Sequence, residues 1–162
     1  MAIDRKIYNK LMKTLIKSLT TSTDSIAPAI ARIALGAVLL PHGLQKTLGL
    51  FGGYGFSGTM GYFTSTAGLP WIIAFLVIMA ESLGALSLLM GFLTRFTAAS
   101  LTILMLGAIN MVHWQNGFFM NWFGTQKGEG FEYHLLVIGL ALSILVSGAG
   151  RWSVDRVISQ KL

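Results

Sequence analysis

The chain has 162 residues, 54% of them hydrophobic and only 11% charged, against roughly 25% charged in an ordinary soluble domain. With a mean hydropathy of +0.68, that balance excludes disorder, which needs low hydrophobicity and high charge, and argues against a soluble globular fold. Cysteine is absent, which excludes disulfide exchange, thiolate zinc and cysteine-ligated iron–sulfur clusters on this chain, and the net charge of +6 sits beside apolar runs, as in membrane proteins rather than nucleic-acid binders.

Residues 1–24 read as a basic amphipathic helix. Ile3, Ile7, Leu11, Leu15 and Leu19 recur every four residues with lysines between them. That pattern suits a helix lying on an anionic inner leaflet; a docking helix for a cytoplasmic partner is the alternative. The segment lacks the apolar run and small-residue cleavage site of a signal peptide.

Residues 25–162 read as one domain with four membrane spans, at about 26–46, 70–90, 94–113 and 131–147. Each is long enough to cross a hydrocarbon core of about 30 Å. Ser25 is the expected N-cap of the first span and Pro28 sits in its first turn, where a missing N–H is harmless. Pro41 is expected to kink its last turn. Pro70 opens the second span and Gly91 closes it. The loop 47–69 is uncharged and rich in glycine and aromatics, apart from Lys46 at its edge. Its stretch from Ser57 to about Ala67 is expected to form a short interfacial helix, with Met60 and Phe63 on one side, folding as a lid over the bundle. The fold class is therefore all-α: an integral membrane four-helix bundle with an N-terminal amphipathic helix.

Lysine and arginine set the expected orientation. Arg5, Lys6, Lys10, Lys13 and Lys17 precede the first span, Arg95 opens the third, and Arg151, Arg156 and Lys161 follow the fourth. The opposite loops carry only Lys127. Both termini are expected in the cytoplasm.

Ionisable groups inside a span are costly and mark candidate sites. Glu81 lies about eleven residues into the second span, as a proton-accepting carboxyl, a head-group anchor, or a buried partner for a facing helix through Arg32. Arg32 either snorkels to the inner interface or tips outward to Glu81. At the outer end, His42, Gln45 and Lys46 share a face of the first span, Asn110 and His113 lie near the end of the third, and Glu132 and His134 open the fourth. Glu132 and His134 are two residues apart and cannot point the same way. Such a group suits a quinone head group, which needs donors at its carbonyl oxygens and a proton route: Arg32, His42, Lys46, Asn110 and His113 as binding residues, Glu81, Glu132 and His134 as proton carriers. A b-type haem between His42 and His113 is the second expectation. No metal site is expected, since no HxxxH or HExxH spacing occurs.

The strings RIALGAVLLPHGLQK, the E-x-x-G segment at 81–84 leading to GFLTR, HWQNGFF, EYHLL and GAGRWSVD, in that order and spacing, resemble the DoxX family of small four-helix membrane proteins over about residues 28–156. The resemblance implies an inner-membrane protein, bacterial or archaeal, linked to reduced-sulfur oxidation such as thiosulfate:quinone oxidoreduction, or to larger membrane oxidoreductase complexes. It matches the family at Arg32, His42, Gly43, Lys46, Glu81, Arg95, His113, Asn116, Gly117, Glu132 and Tyr133. The leading expectation is thus a membrane subunit of a quinone-linked oxidoreductase, with the lipid bilayer and a partner subunit or second copy as its partners, and no nucleic acid. A non-catalytic anchor or assembly factor, and a small transporter of a sulfur oxyanion, stand as alternatives.

Overall fold

The computed structural model describes residues 5–162; Ile3, counted in the amphipathic stripe, lies outside them. The described residues form helices α1 (Arg5–Thr20), α2 (Ala27–Leu48), α3 (Gly55–Gly61), α4 (Trp71–Met90), α5 (Thr94–Ala108), α6 (Glu132–Ser147) and α7 (Val154–Gln160). Three stretches are long and apolar enough to cross a membrane: Ala27–Leu48, Trp71–Met90 and Thr94–Asn116. The third outruns its expected end because α5 continues through a π turn, Ile109–His113, and a 3-10 turn, Trp114–Asn116. The fourth, α6, is apolar but has 16 residues, about 24 Å at 1.5 Å per residue. Its start is hydrogen-bonded to the end of the third span, where Phe131 N donates to Gly117 O and Glu132 N to Phe118 O. Ser25 caps less than expected. Its hydroxyl accepts from Ala27 N at 3.2 Å, but Ile26 takes the N-cap position. Helix α2 runs on through Pro41 to Leu48.

The spans close into a ring, with α2 against α4 and α6, and α5 against α4 and α6. Leu35, Leu39, Leu88, Leu101, Val137 and Ile144 fill its centre. Leu83, Ile103, Leu136 and Val146 stand exposed on the outside, as lipid-facing positions must. Small residues bring α2 and α4 together. A Cβ at Gly43 would lie 2.6 Å from the Glu81 carbonyl oxygen and the Ser82 Cα, and Ser82 Oγ donates to Gly43 O at 3.2 Å. This contact sets the register: Gly43 is level with Glu81, and the start of α2 is level with the end of α4.

Arg32 therefore meets the end of α4, not Glu81. It is 1% exposed. Its Nε donates to Ala149 O, Nη1 to Leu88 O and Leu89 O, and Nη2 to Arg151 O and Trp152 O. All five guanidinium donors are used, on carbonyls at the end of α4 and in the 149–152 loop, of which Leu88 O also accepts from Gly91 N. Nearby, the Asp155 carboxylate of α7 accepts from Leu93 N at 2.7 Å and from Thr94 N at 2.9 Å, capping α5. The Asp24 carboxylate, before α2, pairs with Arg156 and Arg151. Hydrogen bonds from these two arginines hold its carboxyl well below the usual carboxylate range.

At the opposite end the loop between α2 and α4 forms the expected lid. Helix α3 continues into a π turn, Tyr62–Thr66, and Met60 and Phe63 pack on Ala74 and Ile78.

Candidate functional site

Near this lidded end the bundle holds a line of polar side chains. Lys46 Nζ donates to Glu81 Oε2 across the α2–α4 contact. Their side chains are 23% and 10% exposed, so the pair sits inside the bundle rather than on its rim. Gly43 makes this meeting geometrically available: lacking a Cβ, it lets the two backbones approach until Lys46, one turn further along, reaches back to the carboxylate.

Across the ring, α6 begins with Tyr133 and His134 in adjacent positions. The Tyr133 hydroxyl is buried with no hydrogen-bond partner among the described residues. The His42 ring stands 6.3 Å from the Tyr133 ring, centroid to centroid, on an exposed edge of α2. His134 is buried, and its Nδ1 has no hydrogen-bond partner among the described residues. Its ring contacts the His113 ring at 4.1 Å. His113 Nδ1 donates to Glu129 O at 2.8 Å, so in the neutral ring Nε2 is left as an acceptor. Lys46 thus pairs with Glu81 beside the lid cavity, and the rings of His42, Tyr133, His134 and His113 follow one another towards the 117–131 loop. The cavity, about 270 Å³, lies between the end of α2 and the lid, lined by Gln45, Lys46, Tyr54, Thr59, Tyr62 and Phe63.

Three expected members of the site stand elsewhere. Arg32 is at the far end of α2, saturated by carbonyls. Asn110 is exposed on the outside of the bundle, because the π turn over 109–113 changes the face that residues 110 and 113 share in a regular helix. Glu132 faces the loop, where its Oε1 accepts from Met120 N and Trp122 Nε1, both at 3.1 Å. Gln45, although it lines the cavity, donates its amide to Phe51 O at 3.1 Å. Tyr133 was legible only through the family pattern; locally it stands between Glu132 and His134 at the polar head of a helix that is mostly apolar beyond them.

Residues 27–114, more than half of the chain, match the DoxX family. The chain belongs to the DoxX family. Among curated relatives it is similar to inner membrane protein YqjF of Escherichia coli (strain K12), 28% identical over 138 residues, 85% of this chain and 96% of the relative. It is also similar to a Bacillus subtilis (strain 168) protein named "Putative oxidoreductase CatD", 26% identical over 119 residues, 74% of this chain and 78% of the relative. No solved structure matches. The DoxX match covers α2, α4 and the third span, which carry His42, Lys46, Glu81 and His113; Tyr133 and His134 lie beyond it. Membership and the apolar spans together make this a multi-pass membrane protein.

Proposed function

We propose that this DoxX protein is the membrane subunit of a quinone-linked oxidoreductase, receiving a quinone head group beside the Lys46–Glu81 pair. One observation carries the reading. A part-buried ion pair inside the bundle shares this end of it with two buried polar groups, the Tyr133 hydroxyl and His134 Nδ1, for which the described residues supply no hydrogen-bond partner. Buried polar groups are normally hydrogen-bonded, and intramembrane ionisable groups mark sites by default.

The donor set suits a quinone: its two carbonyl oxygens accept hydrogen bonds, and it takes up two electrons with two protons. Lys46 and the Tyr133 hydroxyl are donors for those oxygens. The Glu81 carboxylate is the proton relay beside the ring, and His134 with His113 carries protons towards the 117–131 loop. Tyr54, Tyr62 and Phe63 on the cavity wall suit a flat ring. The name that CatD carries supports the oxidoreductase class; a reduced-sulfur donor such as thiosulfate is the one the family resemblance implies. A b-type haem fits less well. The His113 and His134 rings, 4.1 Å apart, leave no space for a haem plane between them, and His42 is turned to Tyr133. The Lys and Arg distribution supports cytoplasmic termini, with the lid and the 117–131 loop outside.

The anchor reading is favoured by a different observation. Arg32, Asp155 and Glu132 all satisfy the protein's own backbone, so part of the intramembrane and interfacial charge is structural. The two readings separate in lipid nanodiscs. The purified protein should retain a lipid-soluble quinone on extraction. Glu81→Gln should keep its thermal midpoint yet lose quinol formation by about 100-fold or more, and Tyr133→Phe should weaken quinone retention. A wild-type protein that retains no quinone, or a Glu81→Gln variant with normal turnover, would overturn the proposal in favour of the anchor.

A further inference from the structure

We propose that α1 is a binding surface for the anionic phospholipid head groups of the adjoining leaflet, its apolar stripe sunk among the acyl chains and its lysines set against the phosphates. Helix α1 meets α5 and α7, yet most of its surface is left bare. Residues 5–15 are all exposed, Ile16 and Leu19 are half-buried, and Thr20 is buried in its last turn. Ile7, Leu11 and Leu15 are 55%, 62% and 53% exposed. A lone 16-residue helix with that much bare apolar surface is marginal in water, so something must cover the stripe.

The arrangement of charge says what. At about 100° per residue, Lys10, Lys13 and Lys17 fall within about 60° of one another, their centre about 130° round the helix from that of the stripe of Ile7, Leu11 and Leu15. α1 carries no acidic residue between Arg5 and Thr20. A protein groove would take the stripe alone. A stripe backed by an unbroken cationic face fits an anionic bilayer interface.

The position of α1 points the same way. Its exit is tied to the end of the bundle where α4 and α6 finish. Arg95 Nε donates to Thr21 O at 3.2 Å, Thr23 N to Ser147 O at 3.1 Å, and Asp24 pairs with Arg151 and Arg156. The helix therefore starts from the level at which the spans leave the membrane. The lipid-facing exterior of the bundle adjoins it, and a bilayer is always within its reach. None of this rests on the site at Lys46 and Glu81.

The absence of cysteine allows a clean test on the full chain. A nitroxide is placed at Leu11→Cys on the stripe, or at Asn9→Cys on the polar side, and the protein is put into nanodiscs of phosphatidylcholine alone or mixed with phosphatidylglycerol. In the mixed discs the Leu11 label should gain relaxation by oxygen and lose relaxation by a water-soluble nickel chelate by about threefold. The Asn9 label should stay open to nickel. High salt should reverse the change, and so should Lys10→Gln/Lys13→Gln/Lys17→Gln, which keeps the stripe and the helix propensity intact. Equal burial of the Leu11 label in both disc types would overturn a role for anionic head groups. Equal exposure to nickel in both would overturn lipid binding. A label shielded from both reagents in both discs would mean that protein, a second copy included, covers the helix, and would overturn the proposal too.

Discussion

Two charged side chains inside the same helix do opposite things here. Arg32 has every donor taken by a backbone carbonyl, so it behaves as a cross-link between α2, the end of α4 and the 149–152 loop. Lys46 has one carboxylate partner and a cavity beside it. The difference predicts different costs. Arg32→Met should lower stability by about 3 kcal/mol or more, since it takes a buried guanidinium away from five backbone carbonyls at once. It should show as a drop in the thermal midpoint followed by tryptophan fluorescence in detergent. Arg32→Lys should recover only part of that loss, because an ammonium offers three donors and no planar fork. A midpoint unchanged by Arg32→Met would refute the cross-link.

Helix pairs are governed by where glycine sits. Gly43 lies against the α4 backbone, so Gly43→Ala forces α2 and α4 apart. The expected cost is about 1–3 kcal/mol, with the Lys46–Glu81 contact loosened and the Ser82 hydrogen bond to Gly43 O stretched. A Cβ added at Gly139 of α6 would meet nothing within 4 Å, and this residue lies on the exposed side. Gly139→Ala should therefore leave stability unchanged or raise it by up to about 1 kcal/mol through helix propensity. Thermal midpoints of the two variants, measured side by side, check the contrast. Equal effects would mean that the α2–α4 contact does not depend on the missing side chain. The π turn at the end of α5 is the other element-scale device. It leaves Asn110 outside and brings His113 to His134, an arrangement that regular helical spacing would not produce.

Over the whole molecule, the ring of α2, α4, α5 and α6 separates two unlike ends. One end carries Arg32, Arg95, Asp155 and the Asp24 ion pairs. The other carries the lid, the cavity and the exposed aromatics Trp114, Phe119, Trp122 and Phe123. Positive-inside bias predicts that the first end is cytoplasmic. A cysteine at Phe123→Cys should then react with a membrane-impermeant maleimide in intact cells, and one at Leu162→Cys only after lysis. The reverse pattern would invert the orientation, and labelling of both from outside would contradict the four-span topology.

Hydropathy was enough for the all-helical membrane class, with three helices long enough to span and a shorter apolar fourth, because the length and apolarity of a helix are local properties that lipid reads directly. The family was legible from ordered motifs, which survive without knowledge of contacts. The partner of Glu81 was not. Arg32 and Lys46 lie on the same helix, and only the antiparallel register fixed at Gly43 and Ser82 brings Lys46, rather than Arg32, to the carboxylate. Asn110 and Glu132 were grouped with the histidines on helical spacing and depth; a π turn and the 117–131 loop sent them elsewhere. Each of these choices depends on offsets of one or two residues between packed helices. Such offsets are set by backbone contacts far apart in the chain, which is why they emerge only once the helices are packed.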